Sequence, residues 1–224
     1  MAAMGTDRLL DLRRRFDALY TGAVTDVLDR RGLLHQTLPA ELAPLRPGMR
    51  LAGPAYPVEG RPDPGAEYDA SIRRILEMLG SVPAGHVAVY QTNDASSAHL
   101  GELSVTSLKT RGCAGAVIDG GCRDVDLILR EDYPVFARYT TPQDCVPRWR
   151  LVAHGDTTVE VGGVRVALGD YVVADLDGIV VVPREHVDAV LAEAEAKVAT
   201  ESSIRDAVRA GVLPLDAYKR FGTF

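Results

Sequence analysis

The sequence predicts a mixed α/β fold, and three observations carry that prediction. Residues up to about 130 alternate between β-rich apolar runs and helical periodicities. Residues after Pro134 break into short β-rich runs separated by glycine turns. Amphipathic helices stand at both ends. No repeat, low-complexity tract or linker divides the chain. Residues 1–224 therefore read as one domain, with a core over about 25–183 and a C-terminal helix and tail over 184–224.

Leu9, Leu12, Phe16 and Leu19 recur at helical spacing and predict an opening helix. A second helix runs near Val24–Arg30 and stops at Gly32. Pro39, Pro44 and Pro47 mark a loop. Met49–Glu59 reads as a strand interrupted at Gly53-Pro54, and Gly60–Gly65 as a loop or turn. Ile72, Ile75, Leu76 and Leu79 predict a helix ended by Gly80. His86–Gln91 is a short buried strand, Thr92–Ser97 a polar loop, and Leu100–Arg111 a helix stopped by Gly112. Ala116, Val117 and Ile118 form a strand core that Asp119-Gly120-Gly121 are expected to break, and a short helix follows Asp124.

Beyond Pro134, five runs read as strands of a β-meander: Val135–Tyr139, Thr157–Val161, Val164–Ala167, Tyr171–Ala174 and Ile179–Val182. Gly162-Gly163, Gly169-Asp170 and Asp177-Gly178 supply the turns. A long helix follows Pro183, with Val187, Val190, Leu191, Ala194 and Val198 on one face. The tail LPLDAYKRFGTF places Leu213, Leu215, Tyr218 and Phe221 as apolar anchors that could dock on a neighbour.

The bulk numbers exclude several classes. The 224 residues are 46% hydrophobic and 25% charged, as in ordinary globular proteins. A net charge of −6 argues against nucleic acid as a partner. Arg13, Arg14 and Arg15 then read as a solvated helix face. No apolar run approaches the ~18 residues of a membrane span, and no signal peptide is visible. Three cysteines without CxxC spacing fit reduced thiols in a cytoplasm. The dinucleotide fingerprint, the phosphate-binding Walker loop, the GxSxG elbow and the HExxH pair are all absent. The five histidines are scattered.

Two short segments carry chemistry. In GAVIDGGCRDVD (115–126), Arg123 and Asp124 lie between a strand and a helix start. An Arg fork grips a carboxylate or enolate oxygen, and an Asp can hold a divalent cation. A helix cap at Asp124 and a surface ion pair at Arg123 are the alternatives. The second segment is Gly101-Glu102-Leu103, at another helix start, where free N–H groups can seat a carboxylate. Glu102 is also the acid that a helix dipole favours in a first turn. One helix and one strand separate the two segments, so both turns should face one sheet edge.

These residues resemble a known family. The run from Gly101-Glu102-Leu103 through Arg111-Gly112 and GAVIDGGCRDVD to PVFAR is similar to the RraA-like family. VTDVLDRRG, RLAGPAYPV and VEVGGVRVALGDYVVADLDGIVVVP agree, so the likeness spans about 25–220. It implies an αββαβ sandwich resembling the phosphohistidine (swivelling) domain, with N- and C-terminal helices. It also implies homotrimers or homohexamers with sites between subunits. The family includes metal-dependent pyruvate aldolases acting on 4-hydroxy-4-methyl-2-oxoglutarate and 4-carboxy-4-hydroxy-2-oxoadipate. It also includes non-catalytic regulators of a ribonuclease.

By that resemblance, Asp124 holds Mg²⁺ or Mn²⁺ and Arg123 binds the substrate keto oxygen. The backbone N–H groups near Leu103 and Ser104 take the pyruvate carboxylate, beside Gly101, and Glu102 sits just behind the metal. Glu201 is the best match to an acid supplied by a neighbour's C-terminal helix. The expected reaction cleaves a 4-hydroxy-2-oxo diacid to pyruvate and a second 2-oxo acid. Oxaloacetate decarboxylation passes through the same enolate and is the expected second activity. The site needs no Schiff-base lysine. A regulator need not keep the Asp of the Arg-Asp pair or the long tail, and this chain has both. A related lyase with another substrate is the third reading. His99 stands where relatives carry a bulky apolar residue. GRPDPGAEYD (60–69) and QDCVPRWR (143–150) are individual loops, and Arg148 and Arg150 are candidates to grip a distal carboxylate.

Overall fold

Valine-rich strands of period two build the sheet, and the computed structural model describes it over residues 5–224. Two helices open the chain, α1 (Thr6–Asp17) and α2 (Thr21–Arg30). The two-residue strand β1 (Ala43–Pro44) and the long β2 (Leu51–Pro62) follow. Next come α3 (Tyr68–Ser81), β3 (Val87–Gln91), β4 (Ala98–Leu100), α4 (Glu102–Thr110), β5 (Gly115–Cys122), α5 (Val125–Arg130) and β6 (Val135–Thr140). The second half holds β7 (Trp149–His154), β8 (Thr158–Val161), β9 (Val164–Ala167), β10 (Tyr171–Asp175) and β11 (Gly178–Val182). A 3-10 turn at Arg184–His186 leads into α6 (Val187–Arg209), and α7 (Pro214–Phe221) follows.

The main sheet runs β1-β6-β5-β3-β2-β10-β11, with β4 beside β5 and β7 beside β2. The β2, β3, β5 and β6 pairings are parallel, and β10 and β11 join antiparallel. Alternation along β3 sorts the core. Ala88 and Tyr90 pack with Met78 and Leu79 of α3, Val105 and Leu108 of α4, and Ile128 of α5. Val87 and Val89 face the other way, with Val159, Val161, Val164 and Val166 of the β8–β9 hairpin. A third cluster packs α1, α2 and α6 over Ala52, Tyr171, Val173, Val180 and Val182.

Four expectations are corrected. Gly53-Pro54 does not interrupt β2. Pro54 lies one residue before the β3 ladder begins at Ala55, a position where a missing N–H is tolerated. Residues 60–62 are strand rather than turn, because Gly60, Arg61 and Pro62 pair with Leu151, Arg150 and Trp149 of β7. A Cβ at Gly60 would run into the Trp149 ring. Gly80 lies inside α3 and does not end it. The expected meander is two hairpins in two sheets, since β8–β9 forms a sheet of its own and β10–β11 extends the main one.

Candidate active site

A fifth expected feature to fail is the break in β5. That strand runs through Asp119, Gly120 and Gly121 to Cys122, with a bulge against β6 between Ile118 and Gly121. The glycines serve close packing. A Cβ at 120 would lie 2.6 Å from Thr92 Oγ1 and 3.0 Å from His99 Nδ1. One at 121 would lie 2.5 Å from the Ser97 carbonyl oxygen. The bulge is pinned at Asp119, whose carboxylate pairs with Arg138 and whose carbonyl accepts the Thr92 hydroxyl.

Close packing lets β4 lie parallel to β5, Ala98 opposite Gly121 and Leu100 opposite Cys122. This strand takes Leu100, so α4 starts at Glu102 rather than at Leu100. The strands β4 and β5 run into α4 and α5 at the same edge, as expected. The Arg123 N–H donates to the Leu100 carbonyl at 3.0 Å, and the Glu102 N–H donates to Asp124 Oδ2 at 3.2 Å. Gly101 sits against both: a Cβ there would lie 2.6 Å from Asp124 Oδ2 and 3.3 Å from Arg123 Nε.

Asp124 is not a helix cap in the ordinary sense. It occupies the position before α5 in a left-handed conformation, φ 58° and ψ 34°, and its side chain makes no capping bond. Non-glycine residues enter that region uncommonly, Asp more readily than most. Its carboxylate is turned instead to α4. Arg123 Nε lies 3.7 Å from the same Oδ2, and Oδ1 has no partner among the described residues. The Leu103 and Ser104 N–H groups belong to the first turn of α4, where no earlier carbonyl serves them. They make no hydrogen bond among the described residues. The Glu102 carboxylate accepts the Thr106 hydroxyl at 2.8 Å.

Gly101, Leu103, Ser104, Arg123 and Asp124 thus line one cleft, walled by Ile72 and Ile75 of α3 and by Val146. It encloses about 100 Å³. That is well below the roughly 300 Å³ at which ordinary ligand pockets begin. A more open cleft of about 310 Å³ lies on the other side of Arg123-Asp124, against Thr140 and Thr141.

Two cleft residues carry no signal in the local sequence pattern. Asp144 Oδ2 lies 3.2 Å from Arg123 Nη2. It was hidden in the irregular segment 143–148 ahead of β7, which an isolated bridge from Asp144 to Ala98 ties to β4. The His99 side chain has no exposed surface. Its Nε2 lies 3.3 Å from Asp94 Oδ2, and its ring meets Trp149 edge-on at 5.0 Å. Burial pushes the imidazole down to about 4, outweighing the Asp94 charge.

Other expected residues lie elsewhere in the chain. Glu201, on α6, pairs with Lys197 at 2.8 Å and lines a separate groove with Ile204, Val208 and Phe224. Arg148 and Arg150 do not line the cleft; Arg150 faces Asp63 at 3.4 Å. Leu213, Leu215 and Tyr218 at α7 are exposed in the single chain. Among the described residues no group of three or more His, Cys, Asp or Glu side chains is arranged to hold a metal, and no helix is long and apolar enough to cross a membrane.

Fold and site define a class: a mixed α/β protein with a cleft where two adjacent parallel strands meet two helix N-termini. The chain belongs to the RraA-like family, whose Aldolase/RraA model matches residues 21–181. A protein of Halalkalibacterium halodurans named "Putative 4-hydroxy-4-methyl-2-oxoglutarate aldolase" is 27% identical over 211 residues, covering 93% of this chain and 94% of its own. An uncharacterized protein from Pseudomonas syringae pv. tomato superposes with a TM-score of 0.82 at 28% identity, over 94% of each chain. Streptomyces coelicolor RraAS2, described as an unusual member of the RNase ES inhibitor RraA protein family, superposes at 0.78 with 29% identity. That match covers 87% of this chain and 96% of RraAS2.

Proposed function

We propose that this protein is a divalent-metal-dependent lyase that releases pyruvate from a 4-hydroxy-2-oxo diacid, with oxaloacetate decarboxylation as a second activity. The observation that carries the reading is the Asp124 carboxylate. It is released from helix capping, turned beside Arg123, and has one oxygen without a partner. A hard cation keeps most of its waters and takes one or two protein carboxylates plus substrate oxygens. Asp124 alone fits that demand, and a three-ligand protein cage is not needed.

Mg²⁺ or Mn²⁺ would be held at Asp124 and would supply Lewis-acid chemistry to the substrate. The chain's own groups do the rest. The Leu103 and Ser104 N–H groups receive the carboxylate, helped by the positive end of α4. Arg123 donates to the keto oxygen. The Glu102 N–H fixes the Asp124 carboxylate, and Gly101 leaves space for it. In the reaction the C4 hydroxyl passes its proton to water as the C3–C4 bond breaks, and C4 becomes the carbonyl carbon of the second 2-oxo acid. The bonding pair moves into the enolate, whose oxygen Arg123 stabilises, and C3 then takes a proton to give pyruvate.

The small cleft of one chain supports a site completed by a second subunit. We assign that contribution to Glu201 of a neighbouring copy, within a homotrimer or homohexamer, in a cytoplasmic protein. Pyruvate release from a 4-hydroxy-2-oxo diacid and from oxaloacetate, measured with Mg²⁺ and then EDTA, tests the reading. Activity untouched by EDTA or by Asp124→Ala would sink it. The likeness to RraAS2 favours a second reading, a non-catalytic regulator that binds a ribonuclease. Metal-dependent turnover with no nuclease retained in a pull-down would remove that alternative.

A further inference from the structure

We propose that Asp144 is a positioning residue that holds the Arg123 guanidinium off Asp124 and so keeps the Asp124 carboxylate open to a cation. This rests on the reading of Asp124 as the cation holder. The Arg123 fork has two acidic neighbours, Asp144 at 3.2 Å from Nη2 and Asp124 at 3.7 Å from Nε. The nearer contact is therefore with the residue outside the Arg-Asp pair. A guanidinium and a carboxylate left to themselves close into a bidentate pair. Such a pair on Asp124 would occupy both oxygens that a cation needs.

The geometry around Asp144 suits a fixed tether. The Ala98 N–H donates to the Gln143 carbonyl at 2.8 Å, and the Cys145 N–H donates to the Ala98 carbonyl at 3.1 Å. The loop is thereby stitched on both sides of Asp144 to β4, the strand whose Leu100 carbonyl holds the Arg123 N–H. Asp144 Oδ1 accepts the Val146 N–H at 3.3 Å, which leaves Oδ2 for Arg123. Gly101 closes the third side, against Arg123 Cγ and Nε.

The test is Mn²⁺ titration of the full-length protein without substrate, for wild type, Asp144→Asn, Arg123→Met and the double variant. Asn keeps the oxygen that accepts the Val146 N–H, so the loop retains its own bond. Asp144→Asn is expected to weaken Mn²⁺ about tenfold or more, the usual scale for residues that orient a metal ligand. In the Arg123→Met background the same change should have no effect. Equal weakening in both backgrounds would mean that Asp144 acts on the cation directly, and would overturn the proposal, as would no weakening at all. Metal-free crystal structures supply a second readout. The guanidinium should close on Asp124 in Asp144→Asn, and a guanidinium left in place would overturn the proposal. If no form binds Mn²⁺ yet the guanidinium moves, the cation reading fails while the positioning role stands.

Discussion

Gly101 and Asp124 are packed so closely that a Cβ on the first would lie 2.6 Å from Oδ2 of the second. The contact joins the ends of two strands, and the Glu102 N–H bond to the same oxygen makes it a defined geometry. Gly101→Ala must push the carboxylate away. We expect the variant to fold, by circular dichroism, and to lose metal-dependent pyruvate release by about 10²-fold, the scale for a misplacement of about 1 Å. Unchanged turnover would show that the placement of Asp124 is unimportant.

Arg123 is expected to act mainly on the developing enolate. Arg123→Ala should lower kcat by about 10²–10³-fold, about 2.7–4 kcal/mol of barrier, by analogy with deletion of a single oxyanion donor. Arg123→Lys should recover little, because an ammonium cannot contact Asp144 and the substrate through one planar fork. Steady-state kinetics with saturating Mg²⁺ checks both.

Acid stability should depend on His99. Its folded value is pushed down to about 4, against an ordinary 6.5. Between those values the unfolded chain binds the proton and the folded chain does not. Stability present above pH 6.5 is therefore lost as pH falls toward 4, and this loss levels off below that. The full shift is worth about 3 kcal/mol. Burial raises the Asp94 carboxyl, but the Ser96 and Ser97 hydrogen bonds and the His99 charge outweigh it and hold it below its usual value. Its own loss belongs below pH 3.8. Urea midpoints at pH 7 and pH 4.5 should diverge strongly for wild type and much less for His99→Gln.

Gly121→Ala should destabilise the fold rather than the chemistry alone. The added methyl meets the Ser97 carbonyl at 2.5 Å and the Tyr139 ring, and backbone cannot swing away as a side chain can. Overpacking of this kind costs about 1–3 kcal/mol. A denaturant midpoint equal to wild type would contradict the packing described for β4 on β5.

Glu201 gives a test of shared sites. Asp124→Ala and Glu201→Ala homo-oligomers should each be inactive. Mixed by co-refolding in equal amounts, they should regain about a quarter of wild-type sites, since a site needs one sound half from each of two adjacent subunits. No recovery in co-assembled oligomers would remove Glu201 from the site.

Much of this arrangement was legible in the sequence. Gly101-Glu102-Leu103 and Arg123-Asp124 could be placed on one edge because each opens a helix and one helix and one strand separate them, although β4, which leads into Gly101, is not marked in the sequence pattern. What local pattern could not reveal was set by distant partners. Asp119-Gly120-Gly121 looks like a turn until Thr92, His99 and Ser97 are found where side chains would have been. Pro54 looks like a strand break until its place just ahead of the β3 ladder is known. Asp144 is an unremarkable acid in a proline-containing loop until the bridge to Ala98 brings it to Arg123.

Trp149 is the one tryptophan of the chain, and its position has an optical consequence. Its indole N–H donates to the Thr92 carbonyl at 2.8 Å, and its ring stands edge-on to His99, which lines the cleft. An imidazolium quenches excited indole far more effectively than a neutral imidazole does. The intrinsic emission of this protein should therefore dim as His99 takes its proton and shift when the cleft fills, a label-free signal that originates beside the cleft.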